Sequence, residues 1–425
     1  MNKQKIIAGI DVGSSKITTI IGSTTEEEEV KIIGVASVPS RGMRKGQIVD
    51  IQEATSGVIE SVEAAERMAG YNLNRVLVSV GGPHLASQNS TGVVAVAEPE
   101  GEITPEDVTR VIEAARAISL PSSREIIHVV PRFFTVDGQP GIKDPVGMSG
   151  IRLEVETHII TGSTTAIRNL TKCVSEIGAA VDSLVASGLA AAESTLTETE
   201  KELGVVLVDI GGGVTNIVIF VEGAPFYTSV LPIGAKNVTN DLAIGLRVSL
   251  ETAEKIKLAL SAKKKESSPL GEEKEEEINL AELGVVGETK TFSRKTLVEG
   301  IIKPRLNEIF TMVDLEVKKS GAAGLTPAGV VICGGGAQTV GIVPVAKRSL
   351  GMPVRIGLPQ KISGLIDDVQ TPDFAVATGL LLYGAKSESK PATAFSLEEI
   401  GKRLPKIPVK GIAGKAWELL KSLLP

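Results

Sequence analysis

Two short stretches of this chain carry aspartate, glycine and hydroxyl residues at a spacing suited to holding phosphate. The first is Asp11-Val12-Gly13-Ser14-Ser15-Lys16, and the second is Asp209-Ile210-Gly211-Gly212-Gly213-Val214-Thr215-Asn216. Each follows one β-branched run and precedes another, so each reads as a hairpin turn at a sheet edge. Glycine lets backbone N–H groups turn inward and approach phosphate oxygens closely. Ser14, Ser15 and Thr215 can add hydroxyl donors, and Lys16 can neutralise charge on a β- or γ-phosphate. Asp11 and Asp209 can hold Mg²⁺ through water, because that ion keeps much of its hydration shell. One Gly-rich hairpin alone is ordinarily just a tight turn. Two matched hairpins, each with an aspartate on the strand end, point to one shared triphosphate.

A third glycine run, Gly334-Gly335-Gly336, follows the apolar stretch Val331-Ile332-Cys333 and leads into a helix. Alone it reads as a turn that needs positive φ. Beside the other two it offers a bare backbone against which a flat base can lie. Glu254 and Lys257 fall three residues apart on the helical stretch SLETAEKIKLAL, on one face. By themselves they make a surface ion pair of small energetic value. With the loops they read as a clamp for ribose and base. The cofactors expected are therefore ATP and Mg²⁺.

The elements that position these turns follow from hydrophobic periodicity. Residues 5–10, 17–22 and 30–38 are β-branched runs that predict three adjacent strands, 51–70 has helical spacing, and 76–82 is another buried strand. The pattern returns at 204–213, 216–223 and 224–234, followed by a helix over about 235–262. A chain built from two such halves should fold as two α/β domains that face each other. Between the halves, 104–118 opens with Thr104 and Asp107 in a capping pattern and continues as an amphipathic helix. The charged run 263–277 reads as a solvated loop, and 385–410 as a flexible tether.

Composition narrows the function class. The chain has 425 residues, more than one compact core accommodates, and its net charge of −6 gives no reason to expect nucleic acid. Its two cysteines, Cys173 and Cys333, show no metal or redox spacing and read as core residues in a reducing compartment. Asp11 interrupts the apolar stretch that a secretion signal needs. No segment approaches the ~20 apolar residues of a spanning helix, so any membrane contact is expected to be peripheral.

The C-terminal stretch 411–425, GIAGKAWELLKSLLP, supplies such a contact. Ile412, Ala416, Leu419, Leu420, Leu423 and Leu424 share one arc of a helix, with Trp417 at its edge, where an indole favours a membrane interface. Lys415 and Lys421 lie on the other side. From Lys402 to Lys421 there are six basic residues and one acidic, a local excess that suits an anionic lipid surface.

On Asp-x-Gly-x-x-Lys near the start, Asp-x-Gly-Gly-Gly-x-Thr in mid-chain and the late glycine run, the sequence resembles the actin, Hsp70 and sugar-kinase superfamily. It is more closely similar to the FtsA family of bacterial cell-division proteins. That likeness rests on 39–50 (PSRGMRKGQIVD), 128–162 (HVVPRFFTVDGQPGIKDPVGMSGIRLEVETHIITG), 196–220 (LTETEKELGVVLVDIGGGVTNIVIF) and the C-terminal helix. The resemblance implies an α/β, actin-like two-domain ATPase fold with an inserted extra subdomain and a tethered amphipathic helix.

It divides the chain into subdomain 1A (1–82, completed by 162–195 and 360–384), 1C (83–161), 2A (196–229, completed by 326–359), 2B (230–325), a linker (385–410) and the membrane helix (411–425). It implies self-assembly at the septum, on the cytoplasmic face of the membrane, and contacts with later division proteins. It also implies binding of the acidic C-terminal tail of the tubulin-like protein FtsZ by subdomain 2B, with Arg305 and Lys295 as the matching basic positions. Where actin-like MreB carries a glutamate that positions the attacking water, this chain reads Ala186-Ser187-Gly188-Leu189, so at most slow hydrolysis is expected. The alternatives are a related actin-like scaffold such as PilM, or a small-molecule kinase of the same superfold. A kinase needs a catalytic base in the cleft, and none stands out.

Overall fold

The structure, a computed structural model, describes residues 5–24, 29–97, 101–262, 277–279 and 291–389. The chain begins with β1 (Lys5–Val12), β2 (Lys16–Thr24) and β3 (Val30–Pro39), followed by a small hairpin of β4 (Met43–Arg44) and β5 (Gln47–Ile48). β1 and β2 pair antiparallel with Val12 opposite Ile17, which leaves Gly13 to Ser15 and the start of Lys16 as the turn. Helix α1 (Ile51–Ala69) is capped by the Asp50 carboxylate and ended by Gly70 at φ 65, a left-handed position glycine adopts without cost. It packs Ala54, Val58, Val62 and Ala65 on the sheet, and β6 (Arg75–Val80) then pairs parallel to β1.

An inserted α/β unit follows: β7 (Ala86–Ala95), α2 (Pro105–Arg116), β8 (Arg124–Val136), β9 (Gln139–Ile142) and β10 (Arg152–Ser163). Its sheet has the order β7-β10-β8-β9, and its own core is built on Ile103, Val111, Phe134, Leu153 and Val155. Thr104 and Asp107 form the reciprocal capping box that their spacing predicts. The chain then returns through α3 (Thr164–Ser175), β11 (Ala180–Ala186), α4 (Ser187–Thr195) and α5 (Glu198–Leu203).

The second lobe repeats the opening motif with β12 (Val205–Ile210), β13 (Thr215–Val221) and β14 (Ala224–Leu231). The helix expected over 235–262 is two helices, α6 (Ala235–Leu246) and α7 (Leu250–Ser261). Arg247 turns left-handed at φ 55, and the Ser249 hydroxyl caps the new helix, so a cap signal inside the apolar pattern ends one helix and starts another. Strands β15 (Glu277–Asn279) and β16 (Thr291–Ser293) pair as a short ribbon. Helix α8 (Arg294–Leu297) runs through a π turn, Val298–Ile302, into α9 (Lys303–Lys319). The lobe closes with β17 (Val330–Cys333), α10 (Ile342–Leu350) and β18 (Val354–Ile356). Strand β19 (Ile362–Gly364), α11 (Ile366–Val369) and α12 (Ala375–Ser389) go back to the first lobe. Helix α12 runs to Ser389, so the first five residues read as tether, 385–389, are helical. The rest of the tether, the amphipathic stretch 411–425 and nearly all of the charged run lie outside the described residues.

The two large sheets have the orders β11-β6-β1-β2-β3-β19 and β14-β13-β12-β17-β18. In both, the strands that carry the aspartate turns are interior. The turns therefore sit at the strand ends of the sheet, not at its lateral edges as read from sequence. β12 is buried on both faces. Val205 and Leu207 join the core of the first lobe, while Val206, Val208 and Ile210 join that of the second, as a period-two strand between two packed layers requires.

Candidate functional site

The interior hairpins bring the Gly13 and Gly211–Gly213 turns together at one cleft of about 840 Å³, within the range that takes a small ligand. A Cβ added to Gly212 would lie 2.8 Å from the Cβ of Ser15, and one on Gly213 would lie 2.9 Å from that of Ser14. Any side chain there would force the turns apart. The Ser14 hydroxyl accepts from the Gly46 amide at 2.8 Å, which ties the 39–50 stretch to the first turn. Across the cleft, the Lys236 ammonium donates to the Ser14 carbonyl at 2.6 Å.

The structure gathers Asp11, Gly13, Ser14, Ser15, Lys16, Asp209, Gly211, Gly212, Gly213, Asn216, Glu254, Lys257 and Gly334 to Gly336 on this cleft. Thr215 is the exception. Its hydroxyl is buried and donates to the Ile233 carbonyl at 2.8 Å, so it is no cleft donor. Successive strand residues face opposite sides, which turns Thr215 inward and Asn216 toward the cleft.

Lys16 is paired within the protein. Its ammonium lies 2.5 Å from the Asp373 carboxylate and 3.7 Å above the Phe374 ring, and Gln338 donates to the same carboxylate. Glu254 and Lys257 bond each other at 2.8 Å and share the Thr239 hydroxyl. Lys257 is buried, so this is a wall of the cleft and not the surface pair that the spacing alone suggests. Gly334 has φ 79, and a Cβ on it would lie 2.3 Å from Asp209 Oδ1, so the third glycine run both turns left-handed and lets the aspartate in.

Asp11 and Asp209 are the electrostatic centre. Ser79 donates to Asp11 at 2.6 Å, and Asn216 Nδ2 donates to Asp209 at 2.8 Å. Burial raises the Asp11 carboxyl above its ordinary range, against the Ser79 bond and the Lys16 charge. Burial also lifts Asp209 to about 7, Asn216 opposes this, and the Asp11 charge adds to it. Asn216 Oδ1 and Ser40 Oγ are buried on the same cleft without a hydrogen-bond partner. Two mutually repelling carboxylates and orphaned polar oxygens, next to glycine turns, fit a hydrated divalent cation carrying phosphate. At the floor of the cleft, Ser187 begins α4 and no carboxylate occurs in Ala186 to Leu189.

Two residues of the site escape sequence reading. Asp373 is 357 positions from Lys16, and nothing in the local sequence pairs them. Lys236 comes only after β13 and β14, and only the packing of α6 on Gly211 and Gly212 brings it in. Arg305 is elsewhere in the second lobe. It grips Asp241 through Nε and Nη2, at 2.5 and 2.9 Å, and pairs with Glu308. Lys295 is exposed on α8.

The family model described as "SHS2 domain inserted in FTSA" matches residues 82–161, and the one described as "Cell division protein FtsA" matches 206–379. The cell division protein FtsA of Pseudomonas aeruginosa is 37% identical over 413 residues, which is 95% of each chain. This chain belongs to the FtsA family. The Borreliella burgdorferi relative of the same name is 41% identical over 380 residues, covering 89% of this chain and 91% of its own. Among solved structures, the PilM-PilN type IV pilus biogenesis complex is similar at a TM-score of 0.61 and 16% identity, covering 91% and 99% of the two chains. MreB5 of Spiroplasma citri bound to ADP gives 0.52 at 13% identity, with coverage of 91% and 99%. These likenesses establish the actin-like two-domain α/β fold, and the insert is an SHS2 domain. The PilM reading yields to FtsA membership on sequence identity. Among the described residues, no helix is long and apolar enough to cross a membrane.

Proposed function

We propose that this FtsA-family protein binds Mg-ATP between its lobes and tethers FtsZ to the cytoplasmic face of the membrane at the division septum. The observation that carries the nucleotide reading is the meeting of two aspartate-glycine turns, one per lobe, over two buried and repelling carboxylates. Gly13, Ser15 and Gly211 to Gly213 present backbone and hydroxyl donors to phosphate. Asp11 and Asp209 would hold magnesium through its waters, and the ion would supply positive charge against phosphate. Lys16 keeps a cation on the first turn, with Asp373 fixing its direction. Glu254 and Lys257, with the Gly334 to Gly336 backbone, border ribose and base. With no carboxylate at Ala186 to Leu189 to orient water, hydrolysis is slow and ATP acts chiefly as a conformational ligand.

The tether is the basic amphipathic helix 411–425, joined to the body by residues after Ser389. Subdomain 2B, 230–325, receives the acidic tail of FtsZ, with Arg305 and Lys295 as its cations. The insert serves self-association and later division proteins, on the subdomain boundaries the resemblance implies. Floating anionic liposomes with FtsZ tests the reading. The full chain should carry FtsZ up with the vesicles, and a chain ended at Ser389 should leave it behind. FtsZ that floats equally well with both would overturn the tether.

A further inference from the structure

Besides Lys257, the second lobe sends another lysine, Lys236, into the cleft opposite Lys16. The first turn of α6 is laid on the Gly211–Gly213 loop, with the amides of Ala235 and Lys236 donating to the carbonyls of Gly211 and Gly212, each at 2.9 Å. Any side chain on Gly234 would strike those same carbonyls, so the close seating of α6 needs the glycine before it. This seating fixes the Lys236 backbone beside the second turn. Its ammonium crosses to the first turn and donates to the Ser14 carbonyl at 2.6 Å.

Of the three cleft lysines, Lys257 is matched by Glu254, and the other two differ in what satisfies them. Lys16 is matched by the Asp373 carboxylate. Lys236 is held by a neutral carbonyl, and among the described residues it has no carboxylate within ion-pair distance. Glu254, whose charge acts on Lys236, is engaged by Lys257 and Thr239. Burial draws the Lys236 pKa down and Lys257 adds to this, while Glu254 opposes it. A partly desolvated ammonium without an anion, at the positive end of a 12-residue helix, is short of one negative charge.

We propose that Lys236 is the second lobe's ligand for the terminal phosphate of a nucleoside triphosphate, exchanging the Ser14 carbonyl for a phosphate oxygen. This rests on the nucleotide reading of the cleft. It adds that triphosphate is distinguished from its shorter relatives by a cation of the second lobe. In the structure the same ammonium joins the start of α6 to the first turn.

The test is equilibrium binding of ATP, ADP and adenosine, with Mg²⁺, to the full chain and to its Lys236→Met, Lys236→Gln and Lys236→Arg variants. A charge-assisted bond of this kind corresponds to a loss of about 10- to 100-fold. Lys236→Met and Lys236→Gln should lose that much affinity for ATP and stay within about twofold for ADP and adenosine, and Lys236→Arg should recover most of the loss. Variants that retain the wild-type ratio of ATP to ADP affinity, or lose all three ligands equally, overturn the role of Lys236 and leave the nucleotide reading standing. A wild-type chain that binds none of the three overturns both. Thermal melts of each variant identify a fold defect, and the glutamine variant keeps a donor of similar reach for the case in which methionine does not fold.

Discussion

Gly213 shows how closely the two turns are fitted. A methyl group there would press on the Ser14 side chain and the Lys45 amide, at 2.9 and 3.3 Å. Gly213→Ala should weaken ATP binding by about tenfold or more and also lower the melting temperature, because the turns must separate around the added methyl at this half-buried position. Calorimetric titration beside a thermal melt checks both halves of that expectation. At this scale most of the site was legible. Glycines, aspartates and hydroxyls declare a phosphate turn by type and local spacing. Thr215 misled because side chains alternate along a strand, and the side a residue faces depends on the register with β12 and β14. Asp373 and Lys236 were illegible for a different reason. They act through neighbours far away in the chain or across the cleft, and no local spacing encodes that.

At the scale of elements, the seam between the insert and the second lobe sets how the molecule responds to acid. β7 of the insert lies beside β14, an edge strand of the second sheet. Side chains join them: Ser87 bonds both the amide and the carbonyl of Thr228, and Asn89 donates to the Phe226 carbonyl. His158 of β10 closes the seam, with its ring nitrogens 2.7 Å from Asn89 Oδ1 and 2.9 Å from Thr228 Oγ1. Burial, with the Arg132 and His128 charges nearby, depresses its pKa to about 3. His128, which accepts from the Ala186 amide, is depressed to about 4 by burial alone.

An unfolded histidine takes up a proton as the pH falls through 6.5, and these two cannot while folded. Their contribution to stability is therefore complete above pH 6.5 and is lost progressively below it, down to the folded values. Between about pH 6 and 4.5 each should cost about 1.4 kcal/mol per pH unit. Asp11 and Asp209, raised by burial, slope the other way over the same range, so the histidine part is read by difference: in urea denaturation, stability should fall less steeply toward acid in His158→Gln than in the wild type. An unchanged slope in the variant would remove His158 from the account. Periodicity revealed the strands and α2 here. The seam itself was not visible, since two sheet edges joined by side chains leave no pattern in either strand. The break between α6 and α7 was signalled by Ser249, but an apolar pattern that continued past it concealed the cap.

For the whole molecule, two α/β lobes and an insert place one cleft where both repeats contribute, and the internal repeat made that architecture readable from sequence. The way β12 serves two cores at once was not readable, because a strand buried on both faces is merely a continuous apolar run. One short amphipathic helix binds a bilayer weakly and reversibly, and several on one assembly bind through effective concentration. Liposome pelleting should accordingly rise more steeply than in proportion to protein concentration, and more so with ATP. A simple hyperbola, unchanged by nucleotide, would separate membrane binding from self-association.

On the proposed function, both turns grip one triphosphate. Hydrogen exchange of the full chain with and without Mg-ATP reads this at the amides of 13–16 and 211–216. ATP should slow exchange in both segments together, over the same concentration range. Protection of one turn while the other exchanges as in the free protein would contradict it.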